Sequence, residues 1–396
     1  MSPTHPAHGL LTGMDVLLTE FPDWIRNARI GLVSHQAAVD QSGRTSAERL
    51  HECPGVRLSA LFGPEHGFSG VALAGESTRD ERHGDWNIPV YSLYGESRSP
   101  SPESLESLDL LVVELQDLGA RPYTYVSTLR LVLEAASKAR KPVIVADRPI
   151  PLASQSDGPF LDPRYASFVA LIPTPMQYGM TQAETALYLR ETLQLDLDLR
   201  VAPMRNYHRN PVPENHWPRW VPPSPRIRSW SSACLFSATV FGEALPAIDY
   251  GSGSELAFQV VGAPWLNANA LCRSFNEDAA EGVILTPCRY LSASGAYRGQ
   301  ELEGARLTIR NPQSFRPVTT SVILLDHIHR NDSENRLWTA PDTRPDWFDK
   351  LYGTHTVRKA LQAGTPGRIL AQSWNPDLAA FGILRSRHLL YSGGNA

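Results

Sequence analysis

Cysteine is scarce in this 396-residue chain: Cys53, Cys234, Cys272 and Cys288 stand far apart, with no short paired spacing. That excludes a disulfide-stapled scaffold and a cysteine zinc site, and leaves incidental thiols suited to a reducing compartment, the cytoplasm. No apolar run approaches the length of a membrane span, so no membrane association is expected. The opening Met1-Ser2-Pro3-Thr4-His5-Pro6 lacks the basic region and apolar core of a secretory signal. Neither sign of charge dominates. The 37 Lys and Arg against 41 Asp and Glu leave a net charge of -4, without the basic stripe of a nucleic-acid binder. Phosphate-cradling motifs are missing too: Gly251-Ser252-Gly253-Ser254 lacks the third glycine and the strand context of a dinucleotide fingerprint, and there is no Walker motif. His327 and His329 alternate on what reads as a strand, with no carboxylate at metal-ligand spacing, so neither metal nor cofactor is expected.

What the chain does have is alternation. Residues 30–34, 56–62, 90–93, 110–113 and 143–146 read as short buried strands. Between them, 46–52 and 124–141 read as helices; Val126, Leu129, Leu133 and Ala136 recur at helical spacing, and Pro142 stops the second. Thr181-Gln182-Ala183-Glu184 has capping-box spacing and predicts one more. Strands alternating with helices predict an α/β domain, Rossmann-like and doubly wound around a mostly parallel sheet, over residues 1–202. Residues 203–230 change character, with Pro203, Pro211, Pro213, Pro218, Pro222, Pro223 and Pro225 among Trp217, Trp220 and Trp230. Seven prolines exclude regular helix and predict an ordered connecting segment, whose aromatics leave a homo-oligomer interface open. Residues 231–396 read as a smaller α+β auxiliary domain. Strands are expected at 236–241, 257–261, 283–287, 306–309 and 321–325, and helices at 267–276 and 347–362.

Three strands run directly into polar clusters, where open parallel sheets hold their ligands. The first is Gly63-Pro64-Glu65-His66-Gly67. Glu65, bounded by Pro64 and Gly67, sits on a constrained loop that suits a general acid. The bland alternative has Glu65 capping the next turn and His66 bonded to a backbone carbonyl. The second cluster is Glu114-Leu115-Gln116-Asp117-Leu118-Gly119-Ala120-Arg121, followed by Tyr123 and Tyr125. Extended backbone puts Glu114 and Gln116 on one side and Asp117 on the other. Polar side chains there are costly to bury without purpose, although Asp117 and Arg121 are also spaced to pair across a helical turn. Tyr123 and Tyr125 can stack on a sugar face. The third cluster, Asp147-Arg148-Pro149, reads as a structural clamp, with a sugar-binding role for Arg148 open.

These runs resemble the NamZ family of exo-β-N-acetylmuramidases. The likeness extends through Pro89-Val90-Tyr91-Ser92-Leu93-Tyr94-Gly95, Gln116-Asp117-Leu118-Gly119-Ala120-Arg121-Pro122-Tyr123-Thr124-Tyr125, Gly179-Met180-Thr181, Pro223-Ser224-Pro225 and Gly262-Ala263-Pro264-Trp265. Trp374 and the closing Leu389-Leu390-Tyr391 continue it. The resemblance implies a catalytic site between a Rossmann-like domain and an auxiliary domain, and release of a terminal β-linked N-acetylmuramic acid from peptidoglycan fragments. It places the catalytic acid at Glu65. Four departures stand out. The family's Glu-Gly-Thr-Asn and Gly-Arg-Gly-Thr runs are replaced by Phe241-Gly242-Glu243-Ala244-Leu245 and Gly251-Ser252-Gly253-Ser254, so an arginine has become Ser252. The usual His before Gly-Met-Thr is Tyr178, and an Asn after Asp-Arg-Pro is Ile150.

The expected function is thus a glycoside hydrolase acting on a soluble muropeptide or related 2-acetamido sugar. Glu65 protonates the leaving oxygen, His66 tunes it, and Glu114 or Asp117 supplies the second carboxylate or stabilises the oxocarbenium-like transition state. Gln116, Arg121, Tyr123, Tyr125, Arg148 and Tyr178 position the sugar. Two rivals are a biosynthetic enzyme on the same fold and a non-catalytic sugar-binding protein.

Overall fold

The computed structural model describes residues 9–154, 156–209, 219–278 and 280–391. The strands of the first half are β1 (Arg29–Val33), β2 (Arg57–Gly63), β3 (Glu81–Arg82), β4 (Pro89–Ser92), β5 (Leu110–Val113), β6 (Val143–Ala146), β7 (Asp157–Phe160), β8 (Pro175–Gln177) and β9 (Leu199–Ala202). Those of the second half are β10 (Val260–Gly262), β11 (Val283–Leu291) and β12 (Glu301–Ile309). One sheet has the order β3-β4-β2-β1-β5-β6-β9, parallel except where β3 meets β4. The chain winds outward from β1 to β4, returns to β5 and winds the other way. The order therefore reverses between β1 and β5, where doubly wound sheets open a crevice.

Burial on both faces explains the continuous apolar strands. Val33, Phe62, Val113 and Val145 enter one core, while Ile30, Leu32, Val112 and Ile144 enter the other. The covering helices are α1 (Gly13–Glu20), α2 (Ser46–His51), α3 (Pro102–Glu106), α4 (Tyr125–Lys138) and α5 (Gln182–Thr192). Thr12, Thr45 and Thr181 close capping boxes on α1, α2 and α5, the last as its spacing predicts. α4 ends three residues sooner than predicted because Arg140 turns left-handed, at φ 52°, ahead of Pro142.

In the second half, α6 (Trp230–Thr239), α7 (Ala268–Glu277), α8 (Pro317–Arg330), α9 (Arg336–Thr339), α10 (Pro345–Tyr352), α11 (Thr356–Gln362), α12 (Gly367–Gln372) and α13 (Asn375–Ser386) accompany the antiparallel sheet β10-β12-β11. Two expected strands are helical. Residues 236–241 belong to α6 and the 3-10 turn Val240–Glu243, and 321–325 lie inside α8. Both stretches are buried on every side, and a helix buried all round shows the same unbroken apolar run as a buried strand. His327 and His329 therefore share no strand face. His327 meets Asp278 at 3.3 Å and His329 lies edge-on to Trp338. The helix expected over 347–362 is two, α10 and α11, broken at Gly353 with φ 72°. Of 257–261 only the end pairs, as β10, whereas β11 and β12 outrun their expected lengths.

Pro211, Pro213, Trp217 and Pro218 lie outside the described residues; 219–229 carries neither helix nor strand. That stretch does not divide the interior into separate cores. One apolar cluster runs from Val33 of β1 to Phe381 of α13. At its centre the Asp157 carboxylate caps α8, accepting from Val318 N at 2.7 Å and from Thr319 N and Oγ1 at 2.8 Å. No described helix is long and apolar enough to cross a membrane.

Candidate active site

β2 delivers Glu65 at its carboxyl end, next to the reversal point of the sheet. His66 at φ 75° and Gly67 at φ 77° turn the chain back, and Gly67 N donates to Pro64 O at 2.9 Å. A left-handed histidine is strained by roughly 1–3 kcal/mol, so something must hold it. Its Nδ1 lies 2.8 Å from Ala72 O, and since a carbonyl only accepts, Nδ1 carries the proton. Burial lowers the His66 pKa below its ordinary value against the pull of Glu65, which keeps the ring neutral. The expected carbonyl contact of His66 is thus present beside Glu65 itself.

The Glu65 carboxylate is aimed from both sides. Oε1 accepts from Gly75 N at 2.9 Å, closing the ten-residue loop back on itself, and Oε2 accepts from Thr124 Oγ1 at 2.6 Å. Thr124 is the N-cap of α4 yet makes no capping bond with its side chain, so its hydroxyl serves Glu65 instead. Tyr94, after β4, stands against the same carboxylate. Burial, with Glu65 adding to it, pushes the Tyr94 hydroxyl up to about 12 and keeps it a donor.

Across from Glu65 lies a second polar group, from the connecting segment and the second half. Arg226 Nη1 donates to Tyr250 OH at 3.0 Å and lies 3.4 Å from Glu243 Oε1. Burial raises the Glu243 carboxyl above its usual range, Arg226 opposes the rise and Glu65 adds to it. Both side chains reach solvent, at 37 % and 23 % exposure. Arg344 donates to the Glu243 carbonyl and lies over Trp347 at 5.5 Å.

The remaining expected residues form a sealed layer behind Glu65. Glu114 accepts from Arg148 Nη1 at 2.8 Å and from the Ser46 hydroxyl. Arg148 also donates to Val39 O at 3.0 Å and to Gln116 Oε1 at 3.1 Å. Glu114 and Gln116 share that partner while Asp117 points away and accepts from the Tyr178 hydroxyl, as alternation along extended backbone dictates. Burial raises Asp117 to about 6. Arg121 does not pair with Asp117; it donates to Thr174 O at 2.6 Å and Tyr352 O at 2.7 Å, and burial lowers it to about 9. Tyr123 packs at 4.7 Å from Tyr125 and edge-on to Phe236. Tyr125 OH donates to Pro223 O at 2.6 Å and stands edge-on to His35, whose Nε2 accepts from Gln116 N at 2.9 Å. Burial lowers His35 to about 3.

Glu114 and Asp117, expected to share the chemistry, are 0 % and 1 % exposed and engaged with protein partners. That geometry suits them to holding the loops rather than meeting a sugar. Sequence reasoning passed over Thr124, Tyr94, Arg226, Glu243 and Tyr250. Thr124 and Tyr94 stand inside runs that carry the resemblance, and Glu243 inside the run that departs from it; nothing local marks Arg226 or Tyr250.

Among the described residues no group of three or more His, Cys, Asp or Glu is placed to hold a metal ion. A carboxylate pair with one member reaching solvent, and with a tyrosine and an arginine around it, can protonate one atom and stabilise positive charge beside it.

Two family models match the chain in succession. The N-terminal model of exo-beta-N-acetylmuramidase NamZ covers residues 30–231 and the C-terminal model covers 234–391. The chain is 33% identical over 384 residues to the peptidoglycan beta-N-acetylmuramidase NamZ of Bacillus subtilis (strain 168), across 96% of this chain and 91% of that protein. Two crystal structures of DUF1343 family proteins from Bacteroides fragilis NCTC 9343 share the fold. One superposes with a TM-score of 0.89 at 28% identity, over 98% of this chain and 100% of the other. The second gives 0.77 at 25% identity, over 97% and 99%.

Proposed function

The chain belongs to the NamZ family of exo-β-N-acetylmuramidases, which are glycoside hydrolases, and from that premise we propose that it releases terminal β-linked N-acetylmuramic acid with Glu65 as the catalytic acid. The observation that carries the assignment is the aiming of Glu65 by Gly75 N and the Thr124 hydroxyl at the edge of the sheet, opposite solvent-reaching groups of the second half. Glu65 gives its proton to the glycosidic oxygen as the bond to the anomeric carbon breaks, and water supplies the hydroxyl that takes the leaving group's place on that carbon and the proton that restores the acid. Tyr94 orients the carboxyl. His66, uncharged and anchored on Ala72 O, fixes the backbone beneath it.

Most glycosidases pair the acid with a second carboxylate, and we assign that role to Glu243. Glu243 reaches solvent and feels the charge of Glu65, whereas Glu114 and Asp117 are sealed. Gln116, Arg148, Arg121 and Tyr178 keep the loops in place, and Tyr123 and Tyr125 wall the site from beneath. Action on soluble wall fragments in the cytoplasm is supported by four free thiols.

The test is hydrolysis of a chromogenic β-N-acetylmuramide by wild type, Glu65→Gln and Glu243→Gln. Each substitution is expected to lower kcat by about 100-fold or more while leaving the fold intact. Full activity in Glu65→Gln would sink the assignment of the acid. Full activity in Glu243→Gln would return the second role to another group.

A further inference from the structure

Muramic acid differs from glucosamine by a lactyl ether ending in a carboxylate, so a site that selects it needs a cation where that carboxylate comes to rest. Resting on the muramidase reading above, we infer that Arg226 receives the lactyl carboxylate of the substrate through the free edge of its guanidinium.

Placement comes first. Gln36 Nε2 donates to Pro222 O at 2.8 Å and Tyr125 OH donates to Pro223 O at 2.6 Å, which straps this segment across the sheet edge. Tyr125 adjoins Thr124, the residue that holds Glu65. The strap bearing Arg226 and the carboxyl of Glu65 therefore hang from neighbouring residues at the start of α4. Burial is the main reason that the His66 pKa is lowered, and the Arg226 charge adds to it, which brings Arg226 near the residue that follows the acid.

The arginine is also held for the task. Nη1 is fixed by Tyr250 OH and Glu243, while Nε and Nη2 donate to no described residue. A guanidinium clamped on one corner and open along an edge presents two parallel N–H groups, the fork that a carboxylate accepts. Glu243 does not block it. Its 3.4 Å contact is to Nη1, the corner away from the Nε and Nη2 edge.

Other arginines fit worse. Arg148 and Arg121 are sealed and bonded to protein oxygens. Arg344 already donates to the Glu243 carbonyl. Arg98 lies over the Tyr94 and Phe168 rings at 5.0 and 4.3 Å, a stacking position on the exposed rim. Ser252, standing where the family pattern has an arginine, carries no charge. Among these described arginines, Arg226 is the one held through a hydrogen bond on one corner and open along an edge.

The experiment is calorimetric titration of the full-length protein with free N-acetylmuramic acid and with N-acetylglucosamine. Wild type, Arg226→Gln, Arg226→Lys and Arg98→Gln are compared, each checked for native circular dichroism. Wild type should prefer muramic acid, and Arg226→Gln should cut that preference by about 10- to 100-fold, as loss of a charge-assisted contact implies. Arg226→Lys should keep some of it, and Arg98→Gln should keep it whole. No preference in wild type, a preference surviving in folded Arg226→Gln, or one lost in Arg98→Gln alone would each overturn the assignment. Chromogenic muramide turnover is read alongside. Turnover with the preference intact in Arg226→Gln removes the inference and spares the hydrolase. A preference abolished by Arg226→Gln without any turnover in wild type removes the hydrolase and spares Arg226.

Discussion

With Arg148 2 % exposed and Glu114 fully buried, each charge depends on the other for its solvation. Removing one partner strands the second in a low-dielectric layer. Glu114→Ala is expected to lose about 3–5 kcal/mol of stability in a urea titration, far more than the side chain's packing accounts for. A loss below about 1 kcal/mol would show that water reaches Arg148 and that the layer behind Glu65 is open. Glu114 is conspicuous in the sequence because an acidic residue at the end of four buried apolar ones has to have a partner. The sequence does not say whether that partner is a ligand or Arg148, 34 positions on. Tyr178 and Asp117 pose the same ambiguity and resolve it the same way, one accepting from the other. Arg226 is the reverse case. It has no local mark because its importance comes from the strap that carries it to Glu65.

At the scale of elements, α4 links scaffold to chemistry. Its N-cap hydroxyl goes to Glu65, and its first residue, Tyr125, holds Pro223. Thr124→Ala should therefore leave helix stability nearly untouched, unlike an ordinary N-cap substitution, which costs about 1 kcal/mol. Its kcat should fall by about 10- to 100-fold with little change in KM, and Thr124→Ser should restore most of it. Lost stability with full activity would reverse the roles of that hydroxyl. The helices of the doubly wound sheet were legible because burial on one stripe leaves a period, and its strands because short apolar runs alternate with those helices. α6 and α8 were not, since immersion on all sides erases the period. Gly353, which splits the predicted 347–362 helix, has a reason invisible from its neighbours. A Cβ there would lie 2.7 Å from Arg121 Nη2, an atom reaching across from the other half.

The whole molecule is tied together through buried carboxylates. Asp147, at the end of β6, accepts from Thr181 Oγ1 at 2.7 Å, Ala183 N at 3.0 Å and Tyr391 OH at 2.6 Å. Nearby, Glu184 takes Arg209 and the backbone N of Leu390 at 2.8 Å. Burial, with Glu184 adding to it, raises Asp147 from 3.8 to about 7. A carboxyl whose folded pKa is raised keeps its proton longer folded than unfolded. Its stabilising share is complete below 3.8 and is lost as pH climbs through about 7. Wild type should thus lose stability across that window relative to Asp147→Asn, with a slope of up to about 1.4 kcal/mol per pH unit. Parallel urea midpoints for both proteins would mean that Asp147 stays ionised throughout.

The Tyr391 contact has a consequence for how the protein is made. Tyr391 OH also accepts from Met204 N at 2.9 Å, so one residue near the end of the chain closes the last two strands of the first sheet. Translation delivers that residue after every other one that the sheet depends on. The half bearing Glu65 precedes Tyr391 in the chain and lacks these two bonds until Tyr391 joins it. A chain shortened to stop before Tyr391 is therefore expected to be cut faster by protease than the intact protein, and equal resistance would show that this corner holds without that hydroxyl.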